Sequence, residues 1–594
     1  MTKSLRRRMR VFVVVVILTV LVLTARLAWL QIYQYDHYTA KAEGNRLRDL
    51  PILATRGEIK DRTGQILATN RPGYTVSLLG LDRQKAADVI RYLSEILAIE
   101  EEEIREKIAK QQFKSYAPIQ IATDVSPEIV AQLEERRLDL PGVIYETQPV
   151  REYPRQSVAA HILGYVGVIR ENQYQELKRE GYRFTDIIGQ SGLEATYEKY
   201  LRGQDGTLRV ETNRFGNRVR ELERINPVPG NTLHLTLDLQ LQEIAENALA
   251  QVIAELKESG NDQVGKGAVV ALDPSTGGIL ALVSYPAYNP NTFYQDYNEI
   301  RDNPDKPEIN KAIQGTYPIG STFKPVGAMA ALEEGSITEK THISCGGVKT
   351  FFGSDRRRCY GYTAHGALNV VGALQKSCNI FFYEMGYRLG GERLGQYAKD
   401  FGFGDLVGLT DIRGEVPGLI NSPETRSDFM PGDVLSAAIG QGHAITPLQL
   451  ANYGAMLANG GIHYRPHLVK EITDYTGQVI FVQEPEILKK LDYEQKHWEI
   501  IHRGLEAVTE PGGTGSSLRT LPVKVAGKTG SAEAGPNKIS HSLFVGYAPS
   551  EAPEIALAVV VENGGLGGDA AVPTAKLIFE AYYGEDIPEG NEEM

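Results

Sequence analysis

Cysteine is scarce in this chain, with three residues in 594. Three cannot make the paired framework of a disulfide-stapled fold. Excess positive charge is missing too. Lys and Arg total 63 against 75 Asp and Glu, a formal charge of −12, and no long basic tract lies outside the N-terminus. A nucleic-acid role therefore has little electrostatic footing. There is no internal repeat and no low-complexity tract. What remains is a chain of ordinary globular composition that is too long for one compact domain. Two or three folded units are expected.

One long apolar run is present. Lys3, Arg6, Arg7, Arg8 and Arg10 form a cationic head, and Val11 to Ala25 is apolar apart from Thr19 and Thr24. Arg26 interrupts before Leu27-Ala28-Trp29-Leu30. A charge at mid-membrane would cost about 2.5–3.5 kcal/mol, but near a helix end arginine reaches the headgroups. Trp29 and Tyr33 suit the far interface. A cleaved signal peptide and a buried core helix are the alternatives. No clean A-x-A site comes after it, and the apolar stretch outruns the usual cleavage length. The expectation is an uncleaved single-pass anchor over 11–32. Positive-inside logic puts residues 1–10 in the cytoplasm and the rest outside.

Residues 33–225 read as a mixed region. Arg56 to Ala68 has a strand, a turn at Thr63-Gly64 and a second strand. Helical spacing marks 84–97, 100–111 and 127–137. Glu100–Glu103 suits a helix start, where the dipole favours acid. Asn226-Pro227-Val228-Pro229-Gly230 is strong turn chemistry, and the main boundary is expected there. Beyond it Thr232–Leu237 alternates, and Asp238 can cap a helix running to about Ser259. Gly267–Leu272 and Ile279–Ser284 flank a polar turn, giving a hairpin. Helix, hairpin and a later helical block suggest an α+β domain.

The chemistry-bearing stretch is Gly320-Ser321-Thr322-Phe323-Lys324-Pro325, which holds the one S-x-x-K of the chain. A serine hydroxyl is a weak nucleophile until a base takes its proton. On a helix, residues three apart share a face, so Lys324 would sit beside Ser321. At the helix start, free N–H groups would face the attacked carbonyl. The bland alternative, a chance tetrapeptide on a solvated helix, is weakened by two downstream motifs. Ser377-Cys378-Asn379 is an S-x-N, and Lys528-Thr529-Gly530 is the one K-T-G. The K-T-G comes after an alternating stretch, and Phe544–Tyr547 and Ile555–Glu562 read as further strands. An antiparallel sheet would put K-T-G on a strand at a cleft edge. Cys345, Cys359, His365 and Cys378 share one window. Cys3His is a standard zinc set. A disulfide plus a free thiol, buried thiols, and a structural histidine are the competing readings.

The ordered S-x-x-K, S-x-N and K-T-G set is that of penicillin-binding proteins and class A β-lactamases. Further segments resemble class B penicillin-binding proteins, particularly the elongation-type penicillin-binding protein 2. These are Arg56–Ala68, Gly189–Glu194, Gly440-Gln441-Gly442 with Thr446-Pro447-Leu448-Gln449, and Phe544 to Pro549. Leu543 departs from the pattern, where an aromatic is expected, and would alter a groove wall. The resemblance implies an α+β fold: a single transmembrane helix, an elongated pedestal or dimerisation-type domain over 33–225, and a transpeptidase domain over 226–586 with an antiparallel sheet flanked by helices. Residues 587–594 would be a loose tail.

It also implies roles. Ser321 attacks the carbonyl of a D-Ala-D-Ala stem peptide, and β-lactams inhibit by taking its place. Lys324 takes the serine proton. Lowering a lysine from about 10.4 to 7–8 costs on the order of 4 kcal/mol, from burial or a neighbouring cation such as Lys528. Ser377 relays a proton to the leaving D-alanine, and Asn379 holds the substrate amide. Lys528 and Thr529 of the Lys528-Thr529-Gly530-Ser531 strand bind the terminal carboxylate. Backbone N–H groups of Ser321 and Ser531 form the oxyanion hole. An amine of a neighbouring stem then completes the cross-link. Some elongation-type relatives carry zinc in the cysteine window. His365 and Cys378 fit by offset from the nucleophile, Cys359 fits a position that can be aspartate, and Cys345 fits after a small length adjustment. Zinc would be structural, fixing Ser377 and Asn379 through Cys378.

The leading expectation is a peptidoglycan D,D-transpeptidase of cell-wall elongation. A division-type relative, a D,D-carboxypeptidase or β-lactamase, and a non-catalytic β-lactam sensor are the alternatives. An anchor and a large preceding region are excessive for a scavenging hydrolase, and sensors usually carry more membrane segments. No E-D-x-x-F-type signature lies in 33–225, so glycan polymerisation would come from a partner, by resemblance a RodA-type membrane glycosyltransferase.

Overall fold

The computed structural model describes residues 3–38, 47–78, 86–111, 119–212 and 218–584. The tail expected at 587–594 lies outside them. Helix α1 (Lys3–Ala28) leads into a wider turn over Trp29–Tyr33. At 1.5 Å per residue, Lys3–Tyr33 measures roughly 45 Å, more than the ~30 Å hydrocarbon core of a bilayer. It is the one helix among the described residues long and apolar enough to cross a membrane, and none of it is buried. Trp29 and Tyr33 stack with centroids 4.3 Å apart. These features are compatible with a membrane anchor.

The chain folds into two compact units. The first comprises residues 1–56, 70–150 and 203–229. Its core is aliphatic: Val76, Leu78, Val89, Leu93, Ile104, Ile121 and Leu133. Helices Ala86–Leu97, Glu101–Gln111 and Pro127–Glu135 supply it, close to their expected positions. Three glutamates occupy the first turn of the second helix, where the dipole favours them. A separate three-stranded sheet is formed by Leu47–Ile52, Gly206–Thr212 and Arg218–Ile225. Arg209 bridges it, 2.8 Å from Asp49 and 2.9 Å from Glu223.

The second unit takes residues 57–69, 151–202 and 230–594. The chain therefore enters it at the Pro229-Gly230 turn, but two segments from before the expected boundary also belong to it. Close packing explains why. Gly57 N–H donates to Leu201 O at 2.8 Å, and a Cβ on Gly57 would lie 1.8 Å from Asn231 O. The buried Arg151 Nε meets the buried Glu194 Oε1 at 2.6 Å, while its Nη1 donates to Gly57 O at 2.7 Å. Removing one member of such a buried pair typically costs about 3–5 kcal/mol. Asp61 accepts from Thr63 N and Gln65 N in the expected turn. Its other oxygen accepts from Leu239 N at 3.1 Å, tying that turn to the start of the next helix.

The second unit is built on a five-stranded antiparallel sheet. Its strands are β1 (Gly267–Leu272), β2 (Ile279–Tyr285), β3 (Ala526–Ala532), β4 (His541–Ala548) and β5 (Ile555–Val561). The spatial order is β2-β1-β5-β4-β3, so β3 is an edge. Helices α2 (Leu239–Glu258), α3 (Lys324–Glu333), α4 (Val370–Gln375), α5 (Asn379–Asp400, broken at Gly390), α6 (Pro447–Ala458), α7 (Gln495–Thr509) and α8 (Ala571–Gly584) surround it. Asp238 caps α2 as expected, accepting from Leu241 N at 3.1 Å.

The strands are apolar on both faces because both faces are covered. Val269, Ala271, Leu557 and Val559 pack with Leu249 and Val252 of α2 and Phe579 of α8. Their alternate neighbours Ala268, Val270, Ala558 and Val560 pack with Met329, Phe381, Tyr453 and Met456. A one-residue slip would exchange the two sets, so the register is strongly fixed.

Candidate active site

Three remote segments meet at the edge of this sheet. Ser321 lies in a 3-10 turn, Gly320–Phe323, that feeds α3, whose first residue is Lys324. The serine thus precedes the α-helix instead of riding on it. In a 3-10 turn, residues three apart eclipse, so the S-x-x-K pair still shares a side. Pro325 falls in the first turn, where a missing N–H costs nothing.

Glycines make the turn possible. Gly320 has φ +50°, and a Cβ there would stand 2.5 Å from Ser531 O. Gly320 N donates to Gly440 O at 3.1 Å, and a Cβ on Gly440 would sit 1.9 Å from Gly320 O. Thr446 caps α6, accepting from Gln449 N at 3.1 Å and donating its own N–H to the Gln449 side chain at 2.9 Å. From α6, Tyr453 OH donates to Thr322 O at 3.2 Å. The Gly440–Gly442 and Thr446–Gln449 segments therefore brace the serine turn.

Ser377 sits between α4 and α5 with φ +52°. A non-glycine residue held there stores on the order of 1–3 kcal/mol, and such strain persists only where the surroundings impose it. Here they do. Lys324 Nζ lies 2.7 Å from Ser377 O, 3.0 Å from Ser377 Oγ and 2.7 Å from Asn379 Oδ1. Lys528 Nζ approaches the same Ser377 Oγ at 3.1 Å and donates to Thr529 O at 3.0 Å. Ser321 Oγ is not among the hydrogen-bond partners of Lys324 in this geometry.

Both lysines are fully buried, 0% exposed. Burial brings Lys324 down from its ordinary value to about 7. Burial, with the Lys324 cation beside it, holds Lys528 well below the usual lysine range. A neutral amine donates two protons and keeps one electron pair. At Lys324 the carbonyl oxygens of Ser377 and Asn379 can take two protons, which leaves the electron pair available to a serine hydroxyl in the cleft.

K-T-G lies on β3, with Lys528 opposite Val545, Thr529 opposite Phe544 and Gly530 opposite Leu543. A Cβ on Gly530 would meet Thr322 Cγ2 at 2.8 Å, so only glycine lets this edge close on the serine turn. Ser531 Oγ accepts from Gly567 N at 3.0 Å. Leu543 is fully buried in the core, between β3 and β5, and forms no groove wall. Sequence reading overlooked the 510–515 loop. Lys376 Nζ reaches Gly512 O at 2.9 Å, and Thr514 Oγ1 stands 2.6 Å from Thr529 Oγ1. Its Pro-Gly-Gly-Thr-Gly composition marked only a turn.

Behind Ser377, the ligand atoms of Cys345, Cys359, His365 and Cys378 lie within 4.8 Å of one another. The Sγ atoms of Cys345 and Cys359 are 3.6 Å apart, and those of Cys359 and Cys378 are 3.7 Å apart. His365 Nδ1 is 3.5 Å from Cys345 Sγ and 3.7 Å from Cys359 Sγ. These separations are far longer than a disulfide bond of about 2.05 Å. They match the edges of a tetrahedron around zinc, about 3.8 Å for Zn–S bonds of 2.3 Å. The donor set and spacing fit the ion. The hydrogen bond between the thiols of Cys378 and Cys359 lowers Cys359 to about 5 and raises Cys378.

Family profiles match two regions: "Penicillin binding protein transpeptidase domain" over residues 267–580 and "Penicillin-binding Protein dimerisation domain" over 51–235. The peptidoglycan D,D-transpeptidase MrdA of Acinetobacter baumannii is 36% identical, covering 97% of this chain and 87% of its own length. Helicobacter pylori penicillin-binding protein 2, solved in complex with MreC, superposes with a TM-score of 0.77 at 26% identity, over 90% of this chain and 98% of that one. A chain from a peptidoglycan synthase complex, described as coordinating polymerization and crosslinking, gives 0.73 at 31% identity, over 99% of this chain and 100% of its own. The chain belongs to the penicillin-binding proteins, and within them to the class B, penicillin-binding protein 2 type.

The Lys324 environment carries a pH signature. If Lys324 is the base for Ser321, only its neutral amine can take that proton, and its neutral fraction falls about tenfold per unit below a value near 7. Acylation of Ser321 by a labelled penicillin is expected to rise with pH through about 7 and then level off. Stopped-flow rates that are flat from pH 5 to 8 would remove Lys324 as the base.

Proposed function

We propose that this chain is a serine-type peptidoglycan D,D-transpeptidase that cross-links stem peptides during cell-wall elongation. One observation carries the mechanism: the Ser377 hydroxyl stands between two buried amines, at 3.0 and 3.1 Å, beside the Ser321 turn. Neutral Lys324 takes the proton of Ser321 as its oxygen attacks the penultimate D-alanine carbonyl. The N–H groups of Ser321 and Ser531 receive the developing oxyanion. Ser377 hands a proton to the departing D-alanine nitrogen. Lys528 and Thr529 hold the terminal carboxylate, and Asn379 holds the substrate amide. The amine of a second stem then attacks the acyl-serine and releases the enzyme. A β-lactam enters by the same route and stays as the acyl group.

The elongation role is favoured by relatives named MrdA. A hydrolytic carboxypeptidase is the second reading, since water can replace the acceptor amine on the same acyl-serine. Labelled penicillin should add one label to the wild type and none to Ser321→Ala by intact mass. With stem-peptide substrate, cross-linked dimers should exceed simple D-alanine release. Labelling retained in Ser321→Ala would end the acyl-serine assignment, and release without dimers would favour the hydrolase.

Zinc held by Cys345, Cys359, His365 and Cys378 is part of this reading, as a structural clamp. The support is the donor set and its close spacing, with all four ligand atoms within 4.8 Å of one another. Elemental analysis of reduced, purified protein is expected to give one zinc per chain. Cys345→Ser should lose it together with penicillin labelling, whereas metal-free protein with full labelling would refute the clamp.

The cationic head and α1 suit a single-pass anchor, with the catalytic unit on the extracytoplasmic side. Glycan strands would come from a RodA-type membrane glycosyltransferase, a proposal supported by the synthase-complex relative. Photo-crosslinkers placed along residues 11–33 should capture that polymerase in membranes, and capture at background level would count against the pairing.

A further inference from the structure

The K-T-G threonine has a partner outside the motif. Thr514 Oγ1 and Thr529 Oγ1 are 2.6 Å apart, and either can be the donor. Among the described residues, neither hydroxyl has another hydrogen-bond partner. A hydroxyl has one proton and two electron pairs. When Thr529 gives its proton to Thr514, it has none to offer a ligand. When Thr514 donates instead, Thr529 keeps its own proton for the cleft. An anion in the cleft selects the second arrangement, because it accepts the Thr529 proton and polarises the chain behind it.

The surroundings hold this pair in place. Thr514 rides on the loop after α7, where Gly515 N donates to Val508 O at 3.0 Å and Gly513 N to Glu510 O at 2.9 Å. A Cβ on Gly513 would lie 2.1 Å from Val508 O, so the loop tolerates no side chain there. Gln375 Nε2 and Lys376 Nζ donate to Pro511 O and Gly512 O, at 3.3 and 2.9 Å, fastening the loop to the segment that carries Ser377. On the other side, a Cβ on Gly567 would stand 2.9 Å from Thr529 Cβ, which leaves the threonine little room to turn away.

We propose that Thr514 is a positioning and specificity-determining residue for the anionic end of the substrate. By donating to Thr529 it commits the Thr529 proton to a terminal carboxylate, and it disfavours substrates whose terminus is an ester or amide. This rests on the reading that Lys528 and Thr529 form the carboxylate site.

The test uses the full chain in detergent and two probes, a labelled penicillin and its carboxylate methyl ester. The readout is the ratio of second-order acylation rates, free acid over ester. Thr514→Val keeps the shape and removes the hydroxyl. It is expected to lower that ratio about tenfold, in keeping with loss of one ordered hydrogen bond at a charged group. Thr514→Ser should restore the ratio to within about twofold of the wild type, as a hydroxyl role requires. A Thr514→Val ratio equal to the wild-type ratio overturns the proposal, whether both rates are unchanged or both fall together. A serine variant as impaired as the valine variant also overturns it. Wild-type protein that takes no label on Ser321 overturns the transpeptidase reading itself, and the proposal with it.

Discussion

Two lysine amines share one serine hydroxyl inside the protein, and no carboxylate is bonded to either among the described residues. Taking an ammonium out of water costs several kcal/mol even after relaxation, and an anion normally offsets it. Here the offset comes from neutral acceptors: Ser377 O, Ser377 Oγ, Asn379 Oδ1 and Thr529 O. Neutral acceptors favour a neutral amine at Lys324, since a second full charge about 3 Å from the shared hydroxyl has nothing to balance it. The site is thus a base by construction. What it needs from the fold is exclusion of water and three chain segments held within hydrogen-bond reach.

The sheet edge provides that reach. A central strand would spend both rows of backbone groups on neighbours, whereas β3 is paired only with β4 and turns its other side to the serine turn. Close approach then depends on missing side chains at Gly320, Gly440 and Gly530. The register of β3 depends in turn on β4 and β5, whose side chains are buried on both faces. A sheet covered on both sides costs more apolar sequence than a half-exposed one. It gives a rigid rail that holds Lys528 and Thr529 beside Ser377 and Thr514.

Much of this was legible in the residues. The order S-x-x-K, S-x-N, K-T-G carried the chemistry, and apolar runs at 267–272, 279–284, 544–547 and 555–562 carried the sheet, because a strand buried on both faces is written almost wholly in apolar residues. Asp238 announced its helix through a cap, a local signal. Long-range packing was not legible. Segments 57–69 and 151–202 are tied to each other through Gly57, Arg151 and Glu194, and to the rest of the catalytic unit through contacts such as Asp61 with Leu239 and Tyr197 with Asp411. An arginine at 151 says nothing of a glutamate at 194 until the chain is folded. The family resemblance puts Leu543 at a groove wall, and a resemblance does not tell which side of a strand a substituted residue faces. Thr514 escaped for a similar reason: a loop of glycine and proline advertises a turn, whereas its role comes from what lies across from it.

The cysteine cluster has its physical place beside the two amines. Ser377 is held at positive φ, and its neighbours Cys378 and Asn379 open α5. Hydrogen bonds from the two lysines hold the serine from the front, but those bonds weaken whenever a substrate proton moves through them. A support that does not take part in proton traffic must therefore come from behind. Cys378 is fully buried and points its sulfur toward Cys359, which lies against Cys345 and His365. Without a cation, four thiol and imidazole groups facing one another are held only by weak hydrogen bonds of 3.5–3.7 Å. A divalent ion would replace them with one set of stronger bonds. The proposed zinc would then set the position of Cys378, and with it the backbone that points Ser377 Oγ at both amines.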